Sequence, residues 1–246
     1  MPTLKNFVAV DWRAGKDKIY FFFKDINKYS RFDLANNTVE AGYPADINAS
    51  NWHDFHSHAK NLRFGFTTSN QDSRTSDPAD RGAFEDLDIL WLFYYEGDTP
   101  TVCKYDQDAD KVISVHKVKE SKWHQLLPYF DRIVAGTWWY SPRARFVFRF
   151  LLNDGTFLNL DLQPEAQTFK LRKINHAPIT DKHYPGLERY KNRIIGAVQN
   201  DQPLFSRYYY IFLTNNEYIR YDIDNNRAET LPVKIDDVSW PGLLRD

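Results

Sequence analysis

Short runs of aromatic and branched residues alternate with polar turn residues along the whole chain. Four runs stand out: Ile19-Tyr20-Phe21-Phe22-Phe23, Leu90-Trp91-Leu92-Phe93-Tyr94-Tyr95, Phe146-Val147-Phe148-Arg149-Phe150 and Tyr208-Tyr209-Tyr210-Ile211-Phe212. Such residues suit a pleated, half-buried surface, and no long segment keeps a helical period, so the pattern predicts strands. After each run comes a string of alternating character that ends in aspartate: Tyr29 to Asp33, Val102 to Asp106, Phe157 to Asp161 and Tyr218 to Asp222. Alternation of this kind gives a strand with one buried face, closed by an acid able to start an Asx turn.

Two more landmarks keep the same order. A small residue sits upstream in Val8-Ala9-Val10, Phe64-Gly65-Phe66, Val134-Ala135-Gly136 and Ile195-Gly196-Ala197, and an aromatic lies downstream at Trp52, Trp123, Tyr184 and Trp240. The steps from Asp to that aromatic are 19, 17, 23 and 18 residues, and those from the small residue to Asp are 24, 41, 26 and 26. The long step marks an insertion of about 16 residues in the second repeat, Ser69 to Asp88, polar enough to be a surface loop. Helix-compatible segments follow at Ser50 to Ala59 and Glu120 to Leu127.

Four repeats of several strands predict an all-β fold, a four-bladed β-propeller in one domain with a short helix in each blade. The blades span roughly 5–59, 60–129, 130–190 and 191–246. Ala9, Gly65, Ala135 and Gly196 are then expected on the innermost strands, their backbone lining a central channel too crowded for large side chains.

Composition narrows the function classes. The 246 residues carry 32 Lys+Arg against 33 Asp+Glu, a net charge of −1, without the positive surplus of a nucleic-acid or anionic-membrane binder. No run approaches the ~20 apolar residues of a membrane span, and the start shows no signal-peptide pattern. A cytoplasmic or non-classically released protein is the expectation. The single cysteine, Cys103, excludes an internal disulfide and paired-cysteine zinc sites.

The stretch from Lys18 through Tyr29-Ser30-Arg31-Phe32-Asp33, Gly42-Tyr43-Pro44 and Ile47 to Trp52 resembles a hemopexin repeat. Tyr218 to Asp222 with Trp240-Pro241-Gly242-Leu243 supports the resemblance, as do Tyr184-Pro185-Gly186-Leu187 and, more loosely, Trp123 with Leu126-Leu127-Pro128. The resemblance implies a disc whose channel often holds an ion, such as calcium, sodium or chloride, on backbone carbonyls. In that family an acid usually precedes the small pair, whereas Val8, Phe64, Val134 and Ile195 stand here. Multi-domain members close the ring with a disulfide, which one cysteine cannot supply. The chain is more similar to stand-alone members of the seed-albumin type, non-enzymatic binders linked to haem, polyamines, and defence or carbohydrate recognition.

Asp106-Gln107-Asp108-Ala109-Asp110 opens like a calcium loop, but Lys111 and Lys117 occupy the places an EF-hand gives to Gly and Glu, which favours a solvated turn. His53, His56 and His58 are candidate metal or haem-iron ligands. Trp12 and Trp138 each follow the small residue by three positions and are expected on loops, with Arg13, Trp139, Tyr140 and Arg143 nearby, where they would stack on a sugar or porphyrin and meet its acidic groups. No nucleophile elbow, phosphate loop or zinc-protease motif is present. The expectation is a non-enzymatic small-ligand binder for haem or a polyamine, compatible with a homodimer. A lectin or defence protein using aromatics, or a protein-interaction module, is the alternative.

Overall fold

The computed structural model describes residues 4–15, 17–69, 88–139, 147–164, 169–200 and 207–244. Blade one holds β1 (Phe7–Trp12), β2 (Lys18–Phe23), β3 (Lys28–Asp33) and β4 (Thr38–Val39), with β5 (Ala45–Asp46) also paired to β3. Blade two holds β6 (Leu62–Ser69), β7 (Asp88–Glu96), β8 (Thr99–Asp106) and β9 (Lys111–Lys117). Blade three holds β10 (Ile133–Trp139), β11 (Val147–Leu152), β12 (Thr156–Pro164) and β13 (Phe169–Pro178). Blade four holds β14 (Ile194–Gln199), β15 (Tyr208–Leu213), β16 (Glu217–Asp222) and β17 (Arg227–Ala228), with β18 (Val233–Lys234) on β16.

Each sheet is an antiparallel meander of consecutive strands, and the first strands touch in a closed circuit, β1 to β6, β6 to β10, β10 to β14 and β14 back to β1. That circuit is a four-bladed β-propeller. Four hydrophobic clusters lie between neighbouring blades. Each is centred on an aromatic from the end of the preceding blade: Trp52, Trp123, Tyr184 and Trp240 are 1%, 1%, 2% and 2% exposed. Trp52 reaches Phe22 in its own blade at 4.6 Å between ring centroids and Tyr105 of the next at 5.7 Å. Trp240 closes the ring by packing on Phe212 behind it and on Phe21 and Phe32 of blade one. Two long-range hydrogen bonds assist, from Leu4 N to Asn216 Oδ1 and from Val39 N to Pro241 O, both 2.9 Å.

The expected Asx turns form in three blades, where Asn36 N, Ala109 N and Asn225 N each donate to the Oδ1 of Asp33, Asp106 and Asp222 at 2.9 Å. Four residues after each Asp comes a left-handed residue, Asn37, Asp110 and Asn226, side chains that tolerate positive φ. The calcium-like string 106–110 is this turn. In blade three the strand overrides the turn and runs past Asp161 to Pro164, pairing with the long β13. The expectation of a helix in every blade also needs correcting. Short helices close blades one to three (Ala49–Trp52 with His53–Asn61, Val118–Glu120 with His124–Tyr129, Glu188–Arg193), but blade four ends in turns over 236–244, where Pro241 and the positive-φ Gly242 break a helix.

The small residues require a one-residue shift. In the hydrogen-bond register, Asp33, Asp106, Asp161 and Asp222 align through the second strands with Trp12, Thr68, Trp139 and Asn200. Three residues back stand Ala9, Gly65, Gly136 and Ala197, so Gly136 and Ala197, rather than Ala135 and Gly196, are the counterparts of Ala9 and Gly65. Bulges after Leu62, Ile133 and Ile194 lie upstream of these positions, and from the small residues onward the pairing is continuous. What keeps the two glycines small is the preceding blade together with the second strand of their own, Trp91 O and the Phe150 ring each lying 2.9 Å from the added Cβ. A Cβ on Gly65 would lie 2.8 Å from Val10 Cγ1, and one on Gly136 would lie 2.8 Å from Phe66 Cδ1, whereas one on Gly196 would make ordinary contact with Phe7 at 3.6 Å. Gly65→Ala and Gly136→Ala should therefore each lose about 1–3 kcal/mol in urea unfolding. Gly196→Ala should be neutral or stabilising by up to about 1 kcal/mol. Equal losses at all three positions would refute the assigned register.

Candidate functional site

A cavity of about 460 Å³ opens between blades one and two. Blade one supplies an aromatic wall in which Trp12 stacks on Tyr20 at 4.7 Å, Tyr20 lies parallel to Tyr29 at 6.0 Å, and Trp52 stands edge-on to all three. Strand alternation produces this wall, since residues two apart share a face and Tyr20, Tyr29 and Trp12 come from three adjacent strands. Lys18 and Arg31 add cations beside the rings. Glu40 is hydrogen-bonded by both, and Arg31 also lies over the Tyr43 ring at 5.0 Å.

Blade two closes the cavity with its β8–β9 turn. Asp110, in the left-handed slot, accepts from Tyr105 Oη at 2.6 Å and faces His53 Nε2 at 4.0 Å. Gln107 crosses to blade one: its Nε2 donates to Asp11 O at 3.1 Å and to Thr67 Oγ1 at 2.9 Å, while its Oε1 accepts from Arg13 N at 2.8 Å and Ala14 N at 3.3 Å. The apolar residues Leu34 and Ile223 follow the turn aspartate in blades one and four, so the polar latch is particular to this interface. Ser50 and Asn51 form part of the rim, fixed by a capping box in which Ser50 N donates to Asn48 Oδ1 and Asn48 N to Asn51 Oδ1, both at 2.9 Å.

Burial pushes the Tyr20 hydroxyl up to about 12, against the nearby Arg31 guanidinium, and raises Tyr29 and Tyr105 as well. These phenols stay protonated near neutrality. Burial alone would raise the Glu40 carboxyl, but hydrogen bonds from Lys18 and Arg31 hold it below its ordinary value. Cys103 is fully buried in β8 and its thiol is raised to about 12 by burial, which leaves it un-ionised.

The residues singled out from sequence scatter. Trp12 lines the cavity, but as the last residue of β1 and 9% exposed, not as a loop aromatic. Trp138 lies inside β10, 9% exposed, and packs in the cluster between blades two and three; by register the counterpart of Trp12 is Trp139. Arg13 is held by Asp11 at 2.8 Å, donates to Ser69 Oγ at 3.1 Å and lies over Trp138 at 6.0 Å. Tyr140 and Arg143 fall outside the described residues, as does the insertion between Ser69 and Asp88. His53 faces Asp110, His56 Nδ1 contacts its own helix at His53 O, 2.6 Å away, and His58 packs on Tyr94 at 4.6 Å. The three do not converge, and no group of three metal-ligating side chains occurs among the described residues. Sequence reading missed Lys18, Tyr20, Tyr29, Arg31, Trp52, Gln107 and Asp110 as one site, although the Tyr29-Ser30-Arg31 alternation carried part of the signal.

No family model matches the chain, and no curated protein matches it by sequence. Among solved structures, the Dos1 propeller is similar at 9% identity and a TM-score of 0.31, over 93% of this chain and 49% of that one, so this chain spans about half its length. A luciferin-regenerating enzyme is similar at 9% identity and a TM-score of 0.30, over 91% of this chain and 74% of that one. Function therefore rests on the site.

Because the folded-state Glu40 carboxyl lies below its unfolded value, its ion pairs add stability above the unfolded pKa of about 4.3, and that stability is lost as pH falls through the folded value. The stability gap between the native chain and Glu40→Gln, measured by urea unfolding from pH 7 to pH 3, should narrow as pH drops below about 4. A gap independent of pH would refute the ion-pair assignment.

Proposed function

We propose that the protein is a non-enzymatic binding module of hemopexin-like type that holds a carbohydrate in the pocket between blades one and two. The carrying observation is the pocket's composition, a stacked aromatic wall fringed by Lys18, Arg31, Gln107 and Asp110. Rings of this kind take the apolar face of a sugar, and a fringe of charged and amide groups suits its hydroxyls. With Glu40 counted, two cations face two carboxylates, which favours a neutral polyhydroxylated ligand.

The same chemistry ranks the other ligands lower. A polyamine would meet Lys18 and Arg31 with Asp110 the one carboxylate in the lining. Haem would need an axial ligand, and the three clustered histidines face different neighbours. An ion in the axial channel and a homodimer remain compatible with this reading and are separate from it.

A glycan array, followed by calorimetry on the sugar retained, tests the proposal. Lys18→Ala and Asp110→Asn should each weaken binding about tenfold, near 1.4 kcal/mol, and Asp110→Asn keeps a residue that tolerates the left-handed turn. Retention of no glycan, or retention untouched by either variant, would remove the proposal. A Soret shift saturating at one equivalent of haemin, and lost on replacing His53, His56 and His58, would put haem in its place.

A further inference from the structure

The outer rims of the four blades differ. Blades one and four end in pairs of two-residue strands, β4 with β5 and β17 with β18, so neither presents a continuous edge. Blades two and three end in β9 and β13, of seven and ten residues, each paired on one side only among the described residues. A strand so placed offers a row of unpaired N–H and C=O groups to whatever lies beside it. Of the eight large apolar side chains exposed among the described residues, four lie on these two strands, Ile113 and Val115 on β9 and Leu171 and Ile174 on β13.

Of the two edges, β13 is the more open. The helix His53–Asn61 of blade one lies against β9, whereas the extensive neighbour of β13 among the described elements is β12. The register sorts the side chains of β13 onto two faces. Leu171, Ile174 and His176 stand opposite Leu162, Leu160 and Leu158, which belong to the cluster between blades two and three. Lys170, Lys173 and Asn175 stand opposite Gln163, Asp161 and Asn159 on the other face, and a bulge leaves Arg172 unpaired between them. One face of the edge is therefore apolar and the other basic. Lys170, Arg172 and Lys173 are all exposed, residues 169–178 contain no carboxylate, and Asp161 is the one acid on β12. At the far end His176 is anchored by Thr156 Oγ1 at 3.0 Å and by the Tyr129 ring at 4.9 Å, which holds the edge in place.

We propose that the free edge of β13 takes a further strand from a partner protein, an extended segment in which acidic residues alternate with apolar ones. Main-chain hydrogen bonds supply the affinity and the alternation supplies the selectivity, with carboxylates beside Lys170 and Lys173 and apolar side chains beside Leu171 and Ile174. Lysine on an edge is also the usual guard against self-pairing. That guard works by like charge: a second copy of β13 laid antiparallel would set cations against cations. The same charges attract a segment of opposite sign, so the edge excludes its own kind and stays open to an acidic strand. This edge belongs to a different blade interface from the aromatic pocket and does not depend on the ligand assigned there.

Fluorescence anisotropy on the intact chain tests the proposal, using a labelled peptide as long as β13 that alternates valine and glutamate. The native chain should bind this peptide and refuse the valine–lysine equivalent. Reversing both charges, Lys170→Glu with Lys173→Glu, should weaken the first peptide by about tenfold or more and create binding of the second, a gain that an unfolded variant cannot show. N-methylating alternate residues of the peptide should abolish binding in one phase and spare it in the other, since an added strand pairs along one side only. Hydrogen exchange in the complex should slow at alternate β13 amides. Binding that survives both methylation phases, or that protects no β13 amide, is charge attraction without strand addition and overturns the proposal. Failure of the valine–glutamate peptide to bind overturns it as well. A concentration-dependent dimer of the native chain with protected β13 amides would put a second copy in the partner's place.

Discussion

The burial of one aromatic side chain between each blade and the next is the contact on which this ring depends. Every sheet is made from consecutive strands, so no blade is completed by a strand from the opposite end of the chain. Closure is left to side-chain packing. Trp52, Trp123, Tyr184 and Trp240 each touch rings of their own blade and of the following one, and full burial of one such side chain is worth about 3–5 kcal/mol judged by its deletion. The small residues Ala9, Gly65, Gly136 and Ala197 belong to the same constraint. They let the inner strands come close enough for the aromatic behind them to reach both sheets.

The pocket arises where this repeating interface is interrupted. At the position of Tyr20 in its blade, the register places Trp91, Arg149 and Tyr210 in the others, and opposite them on the third strands stand Arg31, Lys104, Asn159 and Arg220. An aromatic paired with a cation is therefore a feature of blades one, two and four. Blade one differs in what its neighbour presents. The turn of blade two offers Gln107 and Asp110, and Gln107 spends its carboxamide latching the loop after β1. A polar turn facing an aromatic wall leaves space that an apolar side chain would have filled, and space lined by both kinds of group can recognise a ligand.

Most of the fold was legible because its landmarks are compositional. Alternating aromatic strands, the closing aspartates and the recurring aromatic at 19, 17, 23 and 18 residues survive any single substitution. What misled was register. In blades three and four two adjacent residues are small, Ala135-Gly136 and Gly196-Ala197, so only the strand pairing decides that Gly136 and Ala197 match Ala9 and Gly65, and Trp139 rather than Trp138 matches Trp12. The site was less legible for a different reason. Its residues come from three strands, a short helix and a turn of the neighbouring blade, and only Trp12 and the Tyr29-Ser30-Arg31 alternation carry a signal in the sequence. Lys18, Tyr20 and Arg31 look like ordinary strand positions until the adjacent blade is in place.

Stability and recognition make opposite demands on the same aromatic. As a packing element Trp52 needs rings on every side, and it has Trp12, Tyr20, Tyr29, Phe22, Phe55 and Tyr105 within 6.2 Å. As a polar group it needs an acceptor, which an all-aromatic shell does not provide. In blades three and four the same conflict stands: Tyr184 Oη and Trp240 Nε1 are likewise buried without a hydrogen bond of ordinary geometry, with Arg149 and Tyr218 as polar neighbours. Between blades one and two the indole lies beside the cavity, and there too its packing is kept while its buried Nε1 goes without an acceptor. At these three interfaces the packing of the aromatic thus takes precedence over its hydrogen bond.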